Sequence, residues 1–488
     1  MIFLKDTILN KLQSNPVAQQ MLQFGNNIGN LFPNEEALCM ASAFMQDQQT
    51  RIVVKKNRYE AQQLYQRLKP LINDTLLFVM EESLRVQAIA SSPEDKQEQL
   101  YVLTQLVKED KPRIIICNTA AFLRYLPDKE LFKSLCYKFE VDQEITMAEL
   151  KQKLNRAGYT KVNYVDRPCT YASRGGIVDV YCLEYEHPIR IEFFDTVIES
   201  IRLFHEETQR TIQTIDSVLI NPATDLLFTD DQIEYLQKEI DSELEKQQVK
   251  LIQDDYDFLL DYIEKDKISI ENYNIDPHLY IYFSYLNANK LTDYVNGHII
   301  FSSQEEVESG YKKLNEETIS FIQEMVESHQ YLPKYCMFHD ILTFEKEHTI
   351  QMFHDFLDFK HPIFSNIETL EQSDQPLIQI LENLKGENIY ISLDEEHTKK
   401  VQEALKAYSI HRNITFIKDD FYEGFTYEDI SVYTQQELFH HPSQIKRYQK
   451  TFKQGQILQN ILELEPNDYV VHEQYGIGQY VGITTRKI

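Results

Sequence analysis

Glycine is scarce, at 13 of 488 residues, which argues against a glycine-rich repeat and against a barrel built from many tight turns. Cations are short as well. Lys and Arg total 49 against 77 Asp and Glu, a formal net charge of −28. A balance this acidic excludes a surface-wide grip on nucleic acid, which needs many cations facing phosphate, and leaves room only for a local basic patch. The six cysteines (Cys39, Cys117, Cys136, Cys169, Cys182 and Cys336) form no CxxC pair and share no zinc-like spacing, so reduced thiols are expected. No apolar run approaches the roughly 20 residues a membrane span needs. The opening MIFLKDTILNKL carries Lys5, Asp6 and Lys11 and does not read as a signal peptide. The expectation is a cytoplasmic protein with no membrane partner.

A phosphate-binding loop is absent too. Nucleotide-hydrolysing α/β domains use a Gly-rich loop ending in Lys-Ser/Thr, whose backbone N–H groups wrap the phosphates. This sequence has no Gly-Lys dipeptide. The stretch where an early strand-loop-helix unit would place one is GNNIGNLFPNEEAL, Gly25 to Leu38. It has Gly25 and Gly29 but no lysine, and Glu35 and Glu36 stand where phosphate charge would sit. A degenerate loop that binds no ATP is expected. Asp394-Glu395-Glu396-His397 matches a DExH string, yet it reads better as a helix start, with Ser392 as N-cap and Glu395 as its capping-box partner. Gly476-Ile477-Gly478 with Gly482 has the wrong spacing for a dinucleotide loop and reads as a hairpin turn. His440-His441, and Cys336 with His339, lack the further ligands zinc wants. No metal site and no catalytic residue is expected.

What is present is enough apolar and aromatic residue, 42% and 12%, for several cores. The length suggests three or four domains at roughly 150 residues each. An amphipathic opening (Ile8, Leu12) leads to helical patterns at Ala37–Phe44, Tyr59–Leu68 and Gln97–Lys108. These alternate with strand-like runs at Ile52–Val54, Leu76–Met80 and Arg113–Cys117, which implies a mostly parallel sheet covered on both faces. Texture changes near residue 136. A helix over Ala148–Ala157 ends at Gly158, a left-handed cap. Strand-like pieces follow at Lys161–Val165, Gly176–Leu183, Ile189–Phe194 and Glu199–Phe204. The acidic stretch from Asp230 to about Lys267 reads as a solvated helix. A strand at His298–Phe301 follows. A second α/β alternation comes next: strand Asn388–Ser392, helix Glu395–Tyr408, and strands Ile414–Ile417 and Ile430–Tyr433. Gln444–Lys453 has Lys446, Arg447, Lys450 and Lys453 with no acid. After Pro466 the texture is β again, and one hairpin cannot close a β module, so the chain is expected to be a piece of a longer protein.

The informative stretch is SRGGIVDVYCLEYEHPIRIEFFDTVIESIRLFHEETQRT, Ser173 to Thr211. Arg174, Arg190, Arg202 and Arg210 sit among strands beside Phe193 and Phe194. Arginine with an exposed aromatic is a common interface anchor pair. The alternative has a phenylalanine in the core and the arginines in surface salt bridges, and alternation alone leaves both readings open. Arg190, Glu192 and Phe194 share parity, so Phe194 is the exposed candidate.

RGGIVDVY…HPIRIEFFDTVIESIRLF…TQRT resembles the signature of the UvrB-homology module of the bacterial transcription-repair coupling factor family (Mfd), a motif also found in UvrB. DYVVHEQYGIGQYVGI, from Asp468, resembles the opening of that family's polymerase-interacting domain. The order and separation of the two motifs suit the coupling factors and not UvrB. Cys169 and Tyr171, ahead of the Arg-Gly-Gly, depart from the pattern. The resemblance implies an α/β multidomain chain. A degenerate UvrB-like, helicase-like body (1–135 and 222–348) would carry an inserted UvrA-binding α+β domain (136–221). A small α/β domain (349–443), a basic linker (444–465) and the start of a Tudor/SH3-like polymerase-binding domain (466–488) would follow. It implies a UvrA-binding surface at Arg174, Arg190 and Phe194, with Arg202 and Arg210 at further motif positions. It implies UvrA and the RNA polymerase β subunit as partners, and double-stranded DNA as a partner of a motor that lies outside this stretch together with its ATP and magnesium. Two other classes are a UvrB-like ATPase/helicase subunit, against which the absent phosphate loop counts, and a non-catalytic scaffold without UvrA binding.

Overall fold

In a computed structural model the described residues are 4–23, 28–29, 31–83, 93–273, 276–334, 336–354, 364–370, 375–410, 412–417, 421–439, 469–472 and 476–479. They fall into two compact units, residues 1–445 and 446–488.

The first unit is built on the continuous apolar runs. β1 (Ile28–Gly29), β2 (Arg51–Lys55), β3 (Thr75–Phe78), β4 (Ile114–Asn118), β13 (His298–Phe301) and β14 (Ile350–His354) form one sheet in the order β1-β14-β13-β2-β4-β3. Every neighbouring pair is parallel. Because side chains alternate across a strand, Ile52, Val54, Ile115 and Phe301 enter one core. Val53, Ile114, Ile116 and Ile300 enter another on the opposite face. The helices Pro33–Asp47 and Arg58–Leu68 bury residues in the second core, and Pro93–Lys108 and Gln304–Glu327 in the first. Ile8 and Leu12 of the amphipathic opening are fully buried.

After β4 the chain leaves this sheet and builds a module between β5 (Tyr137–Glu140) and β12 (Ser217–Ile220), which pair antiparallel. Between them lie the helix Met147–Arg156 and a six-stranded sheet. Its strands are β6 (Thr160–Lys161), β7 (Thr170–Arg174), β8 (Ile177–Tyr181), β9 (Ile189–Phe194), β10 (Val197–Phe204) and β11 (Thr211–Ile215), in the order β11-β10-β9-β8-β7-β6. Gly158 does sit left-handed, at φ +82°, and a Cβ there would stand 2.4 Å from Thr224 Cγ2. The module has its own core, from Leu150 and Leu154 to Ile189, Ile191 and Ile201. Where the chain rejoins the body, Arg124 is buried between Asp225, at 2.5 Å, and the ring of Tyr280.

The acidic stretch forms two helices, Asp230–Lys250 and Gln253–Glu271, rather than one. Leu236, Ile240, Leu259 and Ile263 face inward, and so does Asp266, which is buried and accepts from Tyr282 Oη at 2.7 Å. Further on, β15 (Ile367–Thr369), β16 (Asn388–Ser392), β17 (Ile414–Ile417), β18 (Phe425–Tyr427) and β19 (Ile430–Tyr433) form a mixed sheet ordered β15-β18-β19-β16-β17. Phe425, Tyr427 and Val432 join the second core of the parallel sheet. A nearly buried ion pair, Arg67 Nη2 to Glu423 Oε2 at 2.7 Å, crosses the same contact.

Three readings need correction. Of the expected strand Lys161–Val165 only Lys161 lies in a strand, β6 (Thr160–Lys161); Val162 and Val165 pack in a small cluster with Ala172 and Tyr181. The helix Glu395–Ala407 is capped by Asp394, which accepts from His397 N–H at 2.8 Å, while Ser392 ends β16. In the second unit, β20 (Tyr469–His472) and β21 (Gly476–Gln479) form an antiparallel hairpin. Gly476 and Gly478 lie within β21, opposite His472 and Val470, and do not make the turn. Gly25, Gly482, His440-His441 and the basic positions Lys446, Arg447, Lys450 and Lys453 lie outside the described residues.

Removing one partner from a buried ion pair leaves the other uncompensated, at a cost of about 3 kcal/mol. Asp225→Ala is therefore expected to lower the urea midpoint clearly, followed by far-ultraviolet circular dichroism. Lys238→Ala, which opens the exposed pair with Glu234, should leave the midpoint in place.

Candidate functional site: an arginine and phenylalanine face

The central strand β9 is amphipathic by alternation. On β9, Ile189, Ile191 and Phe193 enter the module core, and Arg190, Glu192 and Phe194 take the other face. Phe193 is 9% exposed and Phe194 75%, so parity identified the exposed ring. The cross-strand register then assembles one outer face from four strands. Asp179 of β8 lies opposite Arg190, which lies opposite Arg202 of β10. Ile177 lies opposite both Arg174 of β7 and Glu192.

Two adjacent turns place the ends of this face. Arg174 leads into Gly175, which adopts φ +57°, and Gly176, where a Cβ would stand 3.1 Å from Phe193 O. Phe193 N–H donates to Gly176 O at 2.8 Å, so the Arg-Gly-Gly turn lies against the strand that presents Phe194. The β9–β10 turn passes through Asp195, left-handed at φ 56°, and Thr196. Ile145 N–H holds that turn by donating to Thr196 O at 2.8 Å.

The five expected arginine and phenylalanine positions are in different states. Arg190 is largely enclosed, its side chain 16% exposed. Its Nε and Nη2 donate to the two oxygens of Asp179 at 2.7 and 2.8 Å, and Nη2 also donates to Gln209 Oε1 at 2.7 Å. The guanidinium lies 4.3 Å from the centre of the Phe204 ring. Hydrogen bonding to Asp179 raises the Arg190 pKa above its ordinary value, against the opposing effect of burial. Arg202 pairs with Glu192, whose other oxygen accepts from Ser200 Oγ at 2.8 Å. Arg190 and Arg202 would repel as direct cross-strand neighbours; the two carboxylates make the arrangement tolerable. Arg174 is 61% exposed and only 3.8 Å from Asp179 Oδ2, an oxygen Arg190 already occupies. Arg210 is exposed at the end of the β10–β11 turn. Arg174 and Phe194 thus stand open to solvent, while Arg190 and Arg202 are engaged within the face.

Sequence reasoning did not find Asp179, Glu192 or Gln209. The first two were visible as alternation partners of the arginines, but pairing them required the register. Gln209 was quoted in a motif without a role.

Of the degenerate loop stretch, residues 28–29 and 31–38 are described. Gly29 ends β1, and the helix Pro33–Asp47 starts just beyond. Glu35 folds back to accept from Phe32 N–H at 2.8 Å and also meets the Ser365 hydroxyl. Glu36 is buried and pairs with Lys55 at 2.6 Å. The carboxylates of Glu35 and Glu36 lie in the first turn of this helix, the end that draws anions. Among the described residues no group of acids, histidines and cysteines could hold a metal ion. Cys336 Sγ lies 3.0 Å from Tyr125 Oη, and the His339 ring meets Asn289 O. No helix of the described residues is long and apolar enough to cross a membrane.

The arginine and phenylalanine face lies within residues 137–226, which match the family model of the UvrB interaction domain. Residues 464–488 match that of the CarD-like/TRCF RID domain. The chain is similar to proteins named transcription-repair-coupling factor. It is 29% identical over 477 residues to that of Bacillus subtilis (strain 168), covering 89% of this chain and 40% of the relative. The protein of the same name from Staphylococcus haemolyticus is 26% identical, with 94% and 42% covered, and that from Staphylococcus aureus strain MRSA252 is 24% identical, again with 94% and 42% covered. The chain therefore spans about two fifths of the length of the curated relatives it matches.

Phe193→Ala removes a core ring and should cost about 3 kcal/mol or more. Phe194→Ala removes an exposed one and should change stability by less than about 0.5 kcal/mol. Urea titrations followed by circular dichroism test the pair; equal losses would contradict the assigned faces.

Proposed function

We propose that the inserted module docks UvrA, and that the chain is the recruiting arm of a transcription-repair coupling factor. The observation that carries this reading is the solvent-exposed Phe194 beside the open Arg174, on a face held rigid by internal ion pairs. An aromatic that a protein leaves uncovered on a packed scaffold is suited to fill a partner's pocket. Arg174 can add a charge-assisted, bidentate contact to a partner carboxylate. Arg190 and Arg202 support the face from within, and Arg210 extends it. The match to the UvrB interaction domain model supports the same assignment.

The rest of the chain is proposed by the same family logic. The parallel sheet and its helices (1–135, 222–348) are a UvrB-like body without nucleotide chemistry, followed by a small α/β domain (349–443) and a linker (444–465). Residues 466–488 belong to a domain that contacts the RNA polymerase β subunit, in keeping with the match there. In the whole protein, movement on double-stranded DNA, driven by ATP with magnesium, belongs to a translocase outside this chain. The protein displaces stalled polymerase in the cytoplasm and hands the lesion to excision repair. The self-paired Glu36 and Lys55 favour this division of labour over an ATPase reading of the present chain.

Calorimetric titration of the chain with UvrA tests the docking reading. Measurable binding is expected, with loss of at least about thirtyfold in Arg174→Ala/Phe194→Ala, since hot-spot truncations cost about 2 kcal/mol or more. Equal binding by both proteins would move the site elsewhere. A nucleotide titration should show no saturable ATP binding; a stoichiometric signal would restore the ATPase reading.

A further inference from the structure

Gln209 is the unexplained member of the Thr-Gln-Arg-Thr motif. Its backbone is left-handed, at φ 59°, a conformation a β-unbranched residue other than glycine, asparagine or aspartate adopts only when its surroundings hold it there. The hydrogen bonds show what holds it. Gln209 N–H donates to His205 O at 2.8 Å, and His205 N–H donates to Arg210 O at 2.9 Å, closing a tight turn between β10 and β11. The amide side chain points back over the sheet. Its Oε1 accepts from Arg190 Nη2 at 2.7 Å, while its Nε2 donates to Glu206 O at 2.8 Å and to Tyr164 Oη at 3.0 Å. Tyr164 Oη in turn donates to Glu206 O.

Arg190 is therefore bonded on two sides. Asp179, buried on β8, fixes Nε and Nη2, and Phe204 lies against the guanidinium plane. Gln209 takes a further hydrogen bond from Nη2. The chain of contacts Asp179–Arg190–Gln209 runs across the sheet from β8 to the turn that carries Arg210. The turn is also tied to the residues just before β9, where the His187 ring stacks on His205 and lies 3.6 Å from Glu206 Oε2, and the Tyr164 contact braces it from the side.

We propose that Gln209 is a positioning residue of the docking face. It acts through Arg190 to hold the β10–β11 turn against the sheet, so that Arg210 is presented to the same partner as Arg174 and Phe194. This inference rests on the reading that the face docks UvrA. Arg190 then serves less as a contact than as the hub that joins two parts of the surface. Pre-ordering the turn removes an ordering cost that binding would otherwise bear.

The test uses the full chain, with hydrogen exchange of the turn and calorimetric titration with UvrA. Gln209→Ala should raise exchange across 205–210 about fivefold and weaken UvrA binding about fivefold, the scale of one lost hydrogen bond, with an unchanged melting temperature. Gln209→Glu keeps an acceptor for Arg190 and should recover most of the affinity. In an Arg190→Met background, Gln209→Ala should add less to the exchange than it does alone, because only its bonds to Glu206 O and Tyr164 Oη remain to be lost. Unchanged exchange in Gln209→Ala would overturn the clamp. A loosened turn with unchanged affinity would overturn its positioning role. If the unaltered chain fails to bind UvrA, the docking reading falls, and the exchange data still decide whether the clamp exists.

Discussion

Both faces of the parallel sheet are buried, and most of the first unit follows from that constraint. A strand with no wet face reads as a near-continuous apolar run, as Ile52-Val53-Val54 and Ile114-Ile115-Ile116 do, with polar residues such as Arg51 and Asn118 confined to the strand ends. Alternation then feeds two separate cores from the same strands. One receives the helices Pro93–Lys108 and Gln304–Glu327. The other receives the helices Pro33–Asp47 and Arg58–Leu68 and, over them, the small mixed sheet. The later α/β region thus shares a hydrophobic core with the first hundred residues, and the Arg67–Glu423 pair lies across a contact already dry. Neither region can be loosened without exposing apolar surface of the other.

This geometry also decides what was legible beforehand. Uninterrupted apolar runs gave away β2, β4 and β13, and the alternation in IRIEFF correctly separated Phe193 from Phe194. The elements that were missed lack either signal. β11 (TIQTI) is an edge strand with almost no buried side chain. The helix Gln304–Glu327 buries only Val307, Leu314, Thr318 and Ile322 across 24 residues, too sparse a stripe to stand out among its charges. β7 follows Cys169 in a left-handed conformation, and Tyr171 is its one large core residue, set among Thr170, Ala172, Ser173 and Arg174. Val162 and Val165 looked like strand residues because they are β-branched, but Val165 is buried, and Val162 partly so, by a local cluster with Ala172 and Tyr181.

The face on the inserted module shows the same limit in electrostatic form. Composition announced a strongly acidic chain, and the sequence placed four arginines within 37 residues, 174 to 210. Which of them are free is a property of the register. Asp179 and Glu192 each sit one strand over from an arginine, and that neighbour relation is written nowhere in the local sequence. The result is a surface whose central charges are compensated from within, with Arg174 and Arg210 exposed toward its ends. At the start of the helix Pro33–Asp47 the same device works in reverse. There Glu36 compensates Lys55, and a place that could have drawn an anion is electrostatically complete.

The pairing of β5 with β12 has a consequence for modularity. Tyr137 lies opposite Ile220, so the segment enters and leaves its host through two adjacent strands. The distance between its ends is one strand spacing, about 5 Å. A segment with neighbouring ends can replace a short surface loop in another protein with little closure penalty, provided its core is complete, as the Leu150 to Ile201 cluster is. Residues 137–220 are in that sense a cassette: a binding face whose attachment makes few demands on the body that carries it.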